Sequence, residues 1–328
     1  MSDRWTWHGG GLEAAKRHFG ASKDGGDWID LSTGINPHPW PGAGAAEIDW
    51  RRLPDPETLA RLETVAAACF GVDARHVCAV PGSEIGLRLV GQMIGGTAHH
   101  VAPAYRTHGE MIAGSAPIDA DAAGQHGGTL ILANPNNPDG RVIGSRAMQA
   151  LLDGRGADGW LLVDEAFADA DPRASIAASV GDDIRLIVFR SFGKFFGLAG
   201  VRLGFVVAPH AIVAKLRERV GAWPVSAAAI AIGTAAYADR DWTTAARRRL
   251  HTEVAALDAV LVRQGHRPIG DCPLFRLIEV ADGQALFERL ARHSILTRPF
   301  AGQPQWLRIG LPADADARAR LETALADG

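Results

Sequence analysis

The chain has 328 residues, of which 47% are hydrophobic, and a formal net charge of −3. This length suffices for one large and one smaller domain, whereas the slightly negative charge gives no electrostatic case for nucleic-acid binding. The three cysteines have no paired spacing, so the sequence predicts neither a disulfide framework nor a metal site.

The first 40 residues are predicted to form an N-terminal arm. They contain the sequences HGGG and INPHPWPG, in which glycine and proline favour irregular backbone. The opening sequence MSDRWTWHGG lacks a charged region followed by an apolar one, which is the pattern of a signal peptide. We therefore expect a cytoplasmic location.

The middle of the chain alternates short apolar runs with helical patterns. Between Glu57 and Phe70, apolar residues recur at helical spacing. Repetition of strand, helix and strand predicts an α/β fold with a mostly parallel sheet covered by helices on both faces. The strand-like runs are VCAV (77–80), TLILA (129–133), WLLVD (160–164), RLIVF (185–189) and GFVVA (204–208).

After about Pro209 the pattern becomes helical and then mixed, which predicts a smaller α+β domain. Its elements are helices at 210–220, 226–238, 241–264 and about 282–293, the runs LFRLIEV, ILT and WLRIG, and a last helix. We place a large domain at 41–215 and a small C-terminal domain at 216–328. The apolar stretch 222–238 is interrupted by Pro224 and Gly233, which favours a buried helix over a membrane span.

The sequence SFGKFFGLAG, at 191–200, places Lys194 between aromatic residues and glycines. A desolvated lysine has a lowered pKa, which makes its amine a nucleophile able to form a Schiff base. The alternative is a lysine at a strand end whose amine reaches solvent beside packed phenylalanines. Ser191 and Arg202 favour the first interpretation, because a hydroxyl and a second cation suit a phosphate ester held beside the amine.

Three other places fit the same chemistry, since each follows a predicted strand. Asp164 ends one strand and could keep a pyridine nitrogen protonated, or could simply cap a helix. NPNNPDG (134–140) offers Asn137 as a donor to a ring hydroxyl, or forms an ordinary Asn-Pro turn. Gly82-Ser83 leads into a helix whose N-terminus would face an anion, although many strand-to-helix turns carry these residues.

The joint occurrence of NPNNP, DEAF, S-x-x-K and G-x-R-x-G in this order resembles the fold-type I pyridoxal-5′-phosphate (PLP) enzymes. Within them, the chain is similar to the histidinol-phosphate aminotransferase-like branch of the class I/II aminotransferase superfamily, from about residue 30 onward. The resemblance implies a large domain with a mostly parallel seven-stranded sheet between helices, and a smaller α+β domain. It also implies a homodimer with active sites at the subunit interface.

The resemblance implies a role for each matching residue. Lys194 would carry PLP as a Schiff base, and Asp164 would pair with the pyridine nitrogen. Asn137 would bond the O3′ oxygen, and Tyr105 in PAYRTHGE would stack on the ring, with His108 as an alternative or as support for Asp164. The phosphate would be bound by Ser83, the backbone N–H of Glu84, Ser191 and Arg202.

Two departures are informative. Phe167 stands where the aminotransferases commonly have the tyrosine of DEAY, and Leu53 stands where they have a tyrosine that reaches the partner subunit. With DLSTGINPHPWP, NPDGR and LTRPF…LRIGLP, these changes resemble the threonine-phosphate decarboxylase family of cobalamin biosynthesis. This resemblance implies PLP-dependent conversion of L-threonine O-3-phosphate to (R)-1-amino-2-propanol O-2-phosphate.

A substrate with both a carboxylate and a phosphate needs two anion sites. WLRIGLP places Arg308 at the family's substrate-carboxylate arginine, and the other candidates are Arg298, Asn36 and His8 with Gly9-Gly10. His8 could equally be an exposed histidine of the arm. The alternative activity is that of a histidinol-phosphate-type aminotransferase, because motif spacing does not reveal which Cα bond breaks. A PLP-binding regulatory protein is disfavoured, since the sequence has no basic helix-turn-helix signature.

Overall fold

The computed structural model describes residues 4–20, 26–156 and 158–327. The strands form three sheets. In chain order they are β1 (Ile29–Asp30), β2 (Val77–Val80), β3 (Ala98–Val101), β4 (Ala116–Ile118), β5 (Thr129–Ala133), β6 (Leu161–Asp164), β7 (Leu186–Ser191), β8 (Gly204–Val207), β9 (Phe275–Glu279), β10 (Ile295–Leu296), β11 (Arg298–Phe300) and β12 (Gln303–Gly310).

The helices begin and end where the local sequence favours it. The third helix, for example, follows Asp55, whose side chain accepts from the backbone N–H of Glu57, and ends before Gly71 at φ 75°. In chain order they are α1 (Arg4–Trp7), α2 (Leu12–Phe19), α3 (Pro56–Phe70), α4 (Ser83–Ile94), α5 (Arg106–Glu110), α6 (Ser145–Asp153), α7 (Phe192–Phe195), α8 (His210–Val220), α9 (Ala227–Ala238), α10 (Arg240–Arg263), α11 (Gly283–Arg292) and α12 (Ala315–Ala326).

The chain divides into two compact units. The larger contains the described residues of 39–137 and 142–245, and the smaller those of 1–38, 138–141 and 246–328. These units are defined by compactness. The predicted domain boundaries at residues 40 and 215 are not tested by them and stay a prediction. Among the described residues, we find no helix with both the length and the apolar character needed to cross a membrane.

The larger unit contains a seven-stranded sheet in the order β2-β8-β7-β6-β5-β3-β4. Strands β3 to β7 are parallel to one another, whereas β8 is antiparallel to both β2 and β7. The core is formed by apolar residues of these strands together with residues of α4 and α8, such as Leu87, Val90, Val213 and Leu216. The predicted α/β fold with a mostly parallel sheet is therefore confirmed. Strands β3 and β4 were not predicted, because AHHV and API lack a continuous apolar run.

The smaller unit contains the antiparallel sheet β11-β12-β9 and the parallel pair β1-β10. The expectation of an irregular arm is wrong at Leu12–Phe19, which is helical, and at Ile29–Asp30, which pairs with β10. Residues 8–11 and 35–40 have neither helix nor strand, as expected. Residues 1–3 and 21–25 of the arm lie outside the described residues. The aromatic rings of Trp5 and Phe19 pack against Phe287 of α11, which gives this segment its own apolar contacts.

Candidate active site

The candidate phosphate site lies where three neighbouring strands of the large sheet meet the start of α4. Gly204 at the start of β8 is paired with Val80 on one side and with Ser191 on the other. The chain leaves β2 through Gly82, at φ 92°, and enters α4 at Ser83. The sheet register therefore brings Ser191 and the N-terminus of α4 to the same edge of the sheet.

Arg202 completes this edge. It has left-handed backbone at φ 56°, and a Cβ added to Gly82 would lie 2.6 Å from Nη2 of Arg202. Position 82 therefore favours glycine for two reasons: its φ is positive, and a side chain there would collide with the guanidinium of Arg202. A helix N-terminus, a hydroxyl and a guanidinium are the donor set that a phosphate prefers. The residues present fit the phosphate of PLP.

Asp164 and His108 form the second part of the site, deep in the larger unit. Asp164 ends β6, and its Oδ1 accepts from the backbone N–H of Ala166 at 3.0 Å. Its Oδ2 lies 2.9 Å from Nε2 of His108, which is fully buried. Because a carboxylate only accepts, Nε2 carries the proton and donates it. Of the two roles predicted for His108, the geometry fits support of Asp164.

Tyr105 stands immediately before α5 and is partly buried against the core. Its ring lies edge-on to that of His108, with centroids 5.8 Å apart. Burial, together with the nearby Glu84 carboxylate, raises the pKa of Tyr105 to about 12. The phenol therefore stays protonated, and its ring is placed next to the His108–Asp164 pair.

Lys194 lies in α7, which directly follows β7. The side chains of Phe192 and Phe195 on this helix are fully buried, and Phe192 stacks on Phe196 with centroids 4.6 Å apart. This packing fixes the helix while Lys194 itself is only half-buried. Its Nζ lies 6.0 Å from the centre of the Phe167 ring. The residue that replaces the family's tyrosine is thus the aromatic neighbour of the candidate nucleophile.

The Asn-Pro turn after β5 contains two buried amides and one half-buried amide. Asn134 donates to the carbonyls of Ile143 and Ala174 at 3.0 and 2.7 Å, and Asn136 donates to that of Pro103 at 3.1 Å. For these two asparagines the turn interpretation holds. Asn137 is half-buried, and its predicted bond to the cofactor stays a prediction.

A buried ionic network lies beside the site, and the sequence analysis missed it. Arg190 Nη1 donates to Glu165 Oε2 at 2.7 Å, and its Nη2 donates to Asp169. The hydroxyl of Tyr237 also donates to Asp169, at 3.3 Å. Burial opposes the charge of Arg190, but Asp169 and Glu165 outweigh it and raise the pKa of Arg190. A charged residue inside the apolar strand LIVFRS was the available signal, since a buried charge needs partners.

The smaller unit holds the candidate substrate arginines. Arg298 of β11 and Arg308 of β12 are directly paired in register, so both side chains leave the same face of the sheet. Arg308 is 2% exposed, and its Nη2 donates to the carbonyl of Ser32 at 2.9 Å. Burial, and then the charge of Arg298, lower the pKa of Arg308 to about 9. Because both guanidiniums are positively charged at neutral pH, the pair favours binding of an anion between or beside them.

Ser32 also holds the glycines that follow His8. The backbone N–H of Gly10 donates to Ser32 Oγ at 2.8 Å, and Gly9 packs so closely on Ser32 that a Cβ there would clash. Gly9, Gly10 and Arg308 therefore all contact Ser32, although the side chain of His8 is exposed. Asn36 is buried, and its Oδ1 accepts from the backbone N–H of His38 at 2.9 Å within its own turn.

Comparisons with known proteins show the family to which the chain belongs. A threonine-phosphate decarboxylase from Sinorhizobium sp is 39% identical over 97% of this chain and 97% of its own length. A threonine-phosphate decarboxylase from Pseudomonas aeruginosa is also 39% identical, over 97% of this chain and 96% of its own length. The crystal structure of histidinol-phosphate aminotransferase from Sinorhizobium meliloti in complex with pyridoxal-5′-phosphate superposes with a TM-score of 0.82. It is 21% identical to this chain and covers 97% of it and 94% of that chain.

The family model for aminotransferase class I and II matches residues 115–325. This range includes Asp164, Lys194, Arg202 and both candidate substrate arginines. The predicted membership, made from the motifs alone, is confirmed. The chain belongs to the class I and II aminotransferase family.

Proposed function

We propose that this chain is a PLP-dependent threonine-phosphate decarboxylase of cobalamin biosynthesis. The observation that carries the proposal is 39% identity to two threonine-phosphate decarboxylases over 97% of the chain. A histidinol-phosphate aminotransferase from Thermobifida fusca is 30% identical over 85% of this chain. The alternative aminotransferase activity is therefore less well supported.

PLP, when bound, withdraws electrons from the bonds at the substrate's α-carbon. We assign its phosphate to Ser191, Arg202 and the backbone N–H groups at Ser83 and Glu84. Asp164 would accept a hydrogen bond from the protonated pyridine nitrogen and so keep the proton on that nitrogen. His108 donates from Nε2 to Oδ2 of Asp164, which orients that carboxylate.

Lys194 would have two tasks. Its Nζ would attach the cofactor in the resting enzyme, and after carbon dioxide leaves it would deliver a proton to the α-carbon. Phe167, next to this amine, has no hydroxyl that could hold or exchange a proton. Asn137 would donate to the ring oxygen and Tyr105 would cover the ring.

We assign the two anionic groups of the substrate to the smaller unit's arginine pair. Arg308 is buried with its Nη2 tied to Ser32, so it presents a fixed guanidinium suited to bidentate binding of a carboxylate. Arg298 is less buried and would bind the phosphate. Asn36 and His8 stay candidates for further contacts to the same groups.

We propose in addition that the protein is a cytoplasmic homodimer. Within the larger unit, three large apolar side chains are strongly exposed: Trp50 at 76%, Leu53 at 65% and Trp223 at 55%. A pocket of about 320 Å³ lies between the start of α3 and the segment 220–225 and includes Leu59 and Trp223. A second copy of the chain covering these side chains would remove them from water. A monomeric mass at full activity would contradict this part.

Product analysis tests the proposed reaction. The PLP-loaded enzyme, incubated with L-threonine O-3-phosphate alone, should release carbon dioxide and form (R)-1-amino-2-propanol O-2-phosphate. Mass spectrometry distinguishes this product from the keto acid of transamination. A requirement for 2-oxoglutarate with formation of glutamate would instead establish the aminotransferase.

A further inference from the structure

Helix α5 (Arg106–Glu110) lies between two parts of the proposed cofactor site. Tyr105, which precedes it, is assigned to the ring, and His108 on it donates to Asp164. Between these two residues stands Thr107, a polar residue that is only 1% exposed. A five-residue helix cannot hold its own position, so its anchor decides where Tyr105 and His108 lie.

The anchor is the carboxylate of Glu84. The hydroxyl of Thr107 lies 2.9 Å from Oε1 and 3.0 Å from Oε2 of Glu84, and can donate to either oxygen. Arg88, one turn further along α4, donates from Nε to Oε1 at 2.7 Å. Tyr105 adds a hydrogen bond to the same carboxylate. The Glu84 side chain thus receives donors from both α4 and the α5 segment.

The location of this carboxylate is unfavourable by simple electrostatics. Glu84 is in the first turn of α4, whose N-terminus is the proposed phosphate site. A negative charge so close to a phosphate dianion repels it, so removal of that charge alone would strengthen cofactor binding. If the Glu84 side chain also holds part of the site in place, its removal would weaken PLP binding instead. Whether removal of the Glu84 charge strengthens or weakens PLP binding therefore distinguishes simple repulsion from a structural role.

We propose that Glu84 is a positioning residue, which holds α5 through Thr107 and thereby sets Tyr105 and His108 against the cofactor ring. This role is distinct from the backbone N–H of Glu84 already assigned to the phosphate. Formation of the site then depends on a link between its phosphate end and its ring end. The inference rests on the proposed PLP site and is independent of which α-carbon bond is cleaved.

The same ionic cluster offers a matched control. Glu110, at the far end of α5, accepts from Arg88 Nη2 at 3.2 Å and from Arg106 Nε at 3.1 Å. Its side chain is 42% exposed, so these pairs are screened by solvent. Glu110→Gln removes a carboxylate of the same cluster without touching Thr107.

The experiment measures PLP dissociation constants and visible circular dichroism of the bound cofactor for Glu84→Gln, Thr107→Val, Thr107→Ser and Glu110→Gln. Loss of a buried hydrogen bond to a charged group should weaken PLP binding by about tenfold in Thr107→Val. Glu84→Gln should weaken it too, and both should lower the dichroism per bound cofactor. Thr107→Ser, which keeps the hydroxyl, and Glu110→Gln should stay within about threefold of the wild type.

Tighter or unchanged PLP binding in Glu84→Gln, or unchanged binding in Thr107→Val, would overturn the inference. So would a result in which the variants only lower the unfolding temperature of the cofactor-free protein and leave the dichroism of bound PLP unchanged. Neither outcome affects the proposed function, because carbon dioxide release by the wild-type enzyme is measured separately.

Discussion

Two buried arginines, one in each unit, have opposite electrostatic surroundings. Arg190 is enclosed by Glu165 and Asp169, and its pKa is raised. Arg308 is equally buried but stands beside Arg298, and its pKa is lowered to about 9. A buried arginine surrounded by carboxylates compensates their buried charge, so its removal alone is destabilising. An arginine buried beside another arginine lacks such compensation, and we propose that a bound anion supplies it.

The largest expected effect comes from Arg190. Arg190→Leu leaves Glu165 and Asp169 buried without their cation, so we expect a loss of about 3–5 kcal/mol in the free energy of unfolding. Denaturant unfolding of the cofactor-free protein measures it. Arg61→Leu, at an exposed position on α3, is the control and should change stability by less than about 0.5 kcal/mol. Equal effects of the two substitutions would refute the structural role.

Arg308 should show the reverse pattern. Arg308→Ala removes the guanidinium that we propose binds the substrate's carboxylate, so kcat/KM for threonine phosphate should fall by about one and a half to three and a half decades. The free energy of unfolding should fall far less than in Arg190→Leu, and PLP absorbance should persist. Arg292→Ala, at an exposed ion pair on α11, is the matched control and should keep kcat/KM within about twofold. Unchanged kcat/KM in Arg308→Ala would break the comparison.

Arg202 tests whether the larger unit also contains a ligand-binding arginine. Because its proposed partner is the cofactor's phosphate, Arg202→Ala should weaken PLP binding by about one to two decades. Equilibrium titration of the cofactor-free enzyme measures this. Arg219→Ala on the exposed face of α8 should bind PLP like the wild type. If Arg202→Ala retained PLP equally well, the phosphate assignment would be wrong.

The smallest effect is expected at the edge of the Arg190 network. Tyr237→Phe removes one hydrogen bond, at 3.3 Å, to Asp169 and leaves the ionic pairs intact. Loss of a neutral donor to a carboxylate that keeps other partners should cost about 0.5–1.5 kcal/mol of unfolding free energy. A cost as large as that of Arg190→Leu would mean that Tyr237, not Arg190, carries the network.

The sequence could predict the strands whose burial on both faces leaves a continuous apolar run, such as TLILA and RLIVF. It could not predict β3, because His99 and His100 interrupt its pattern and only pairing with β4 and β5 makes it a strand. Helix α2 was missed because the expected irregular arm was inferred from glycines that lie outside it.

The candidate site divides in the same way. Lys194, Asp164 and Arg202 carry family motifs and could be named from the sequence. The contacts of His108 with Asp164 and of Thr107 with Glu84 join positions 56 and 23 residues apart, and no local pattern records them. Likewise, the pairing of Arg298 with Arg308 depends on the register of β11 and β12. The sequence could therefore indicate which residues belong to the site, but it could not indicate which of their side chains contact one another.

The central claim is that the Lys194 site decarboxylates threonine phosphate and returns to its starting state without an acceptor. The most direct measurement is release of labelled carbon dioxide from carboxyl-labelled L-threonine O-3-phosphate, counted per PLP-loaded site with no keto acid present. We predict many equivalents per site for the wild type and none for Lys194→Ala. Absence of labelled carbon dioxide, with at most one equivalent of substrate consumed per site, would contradict the account and identify an aminotransferase half-reaction.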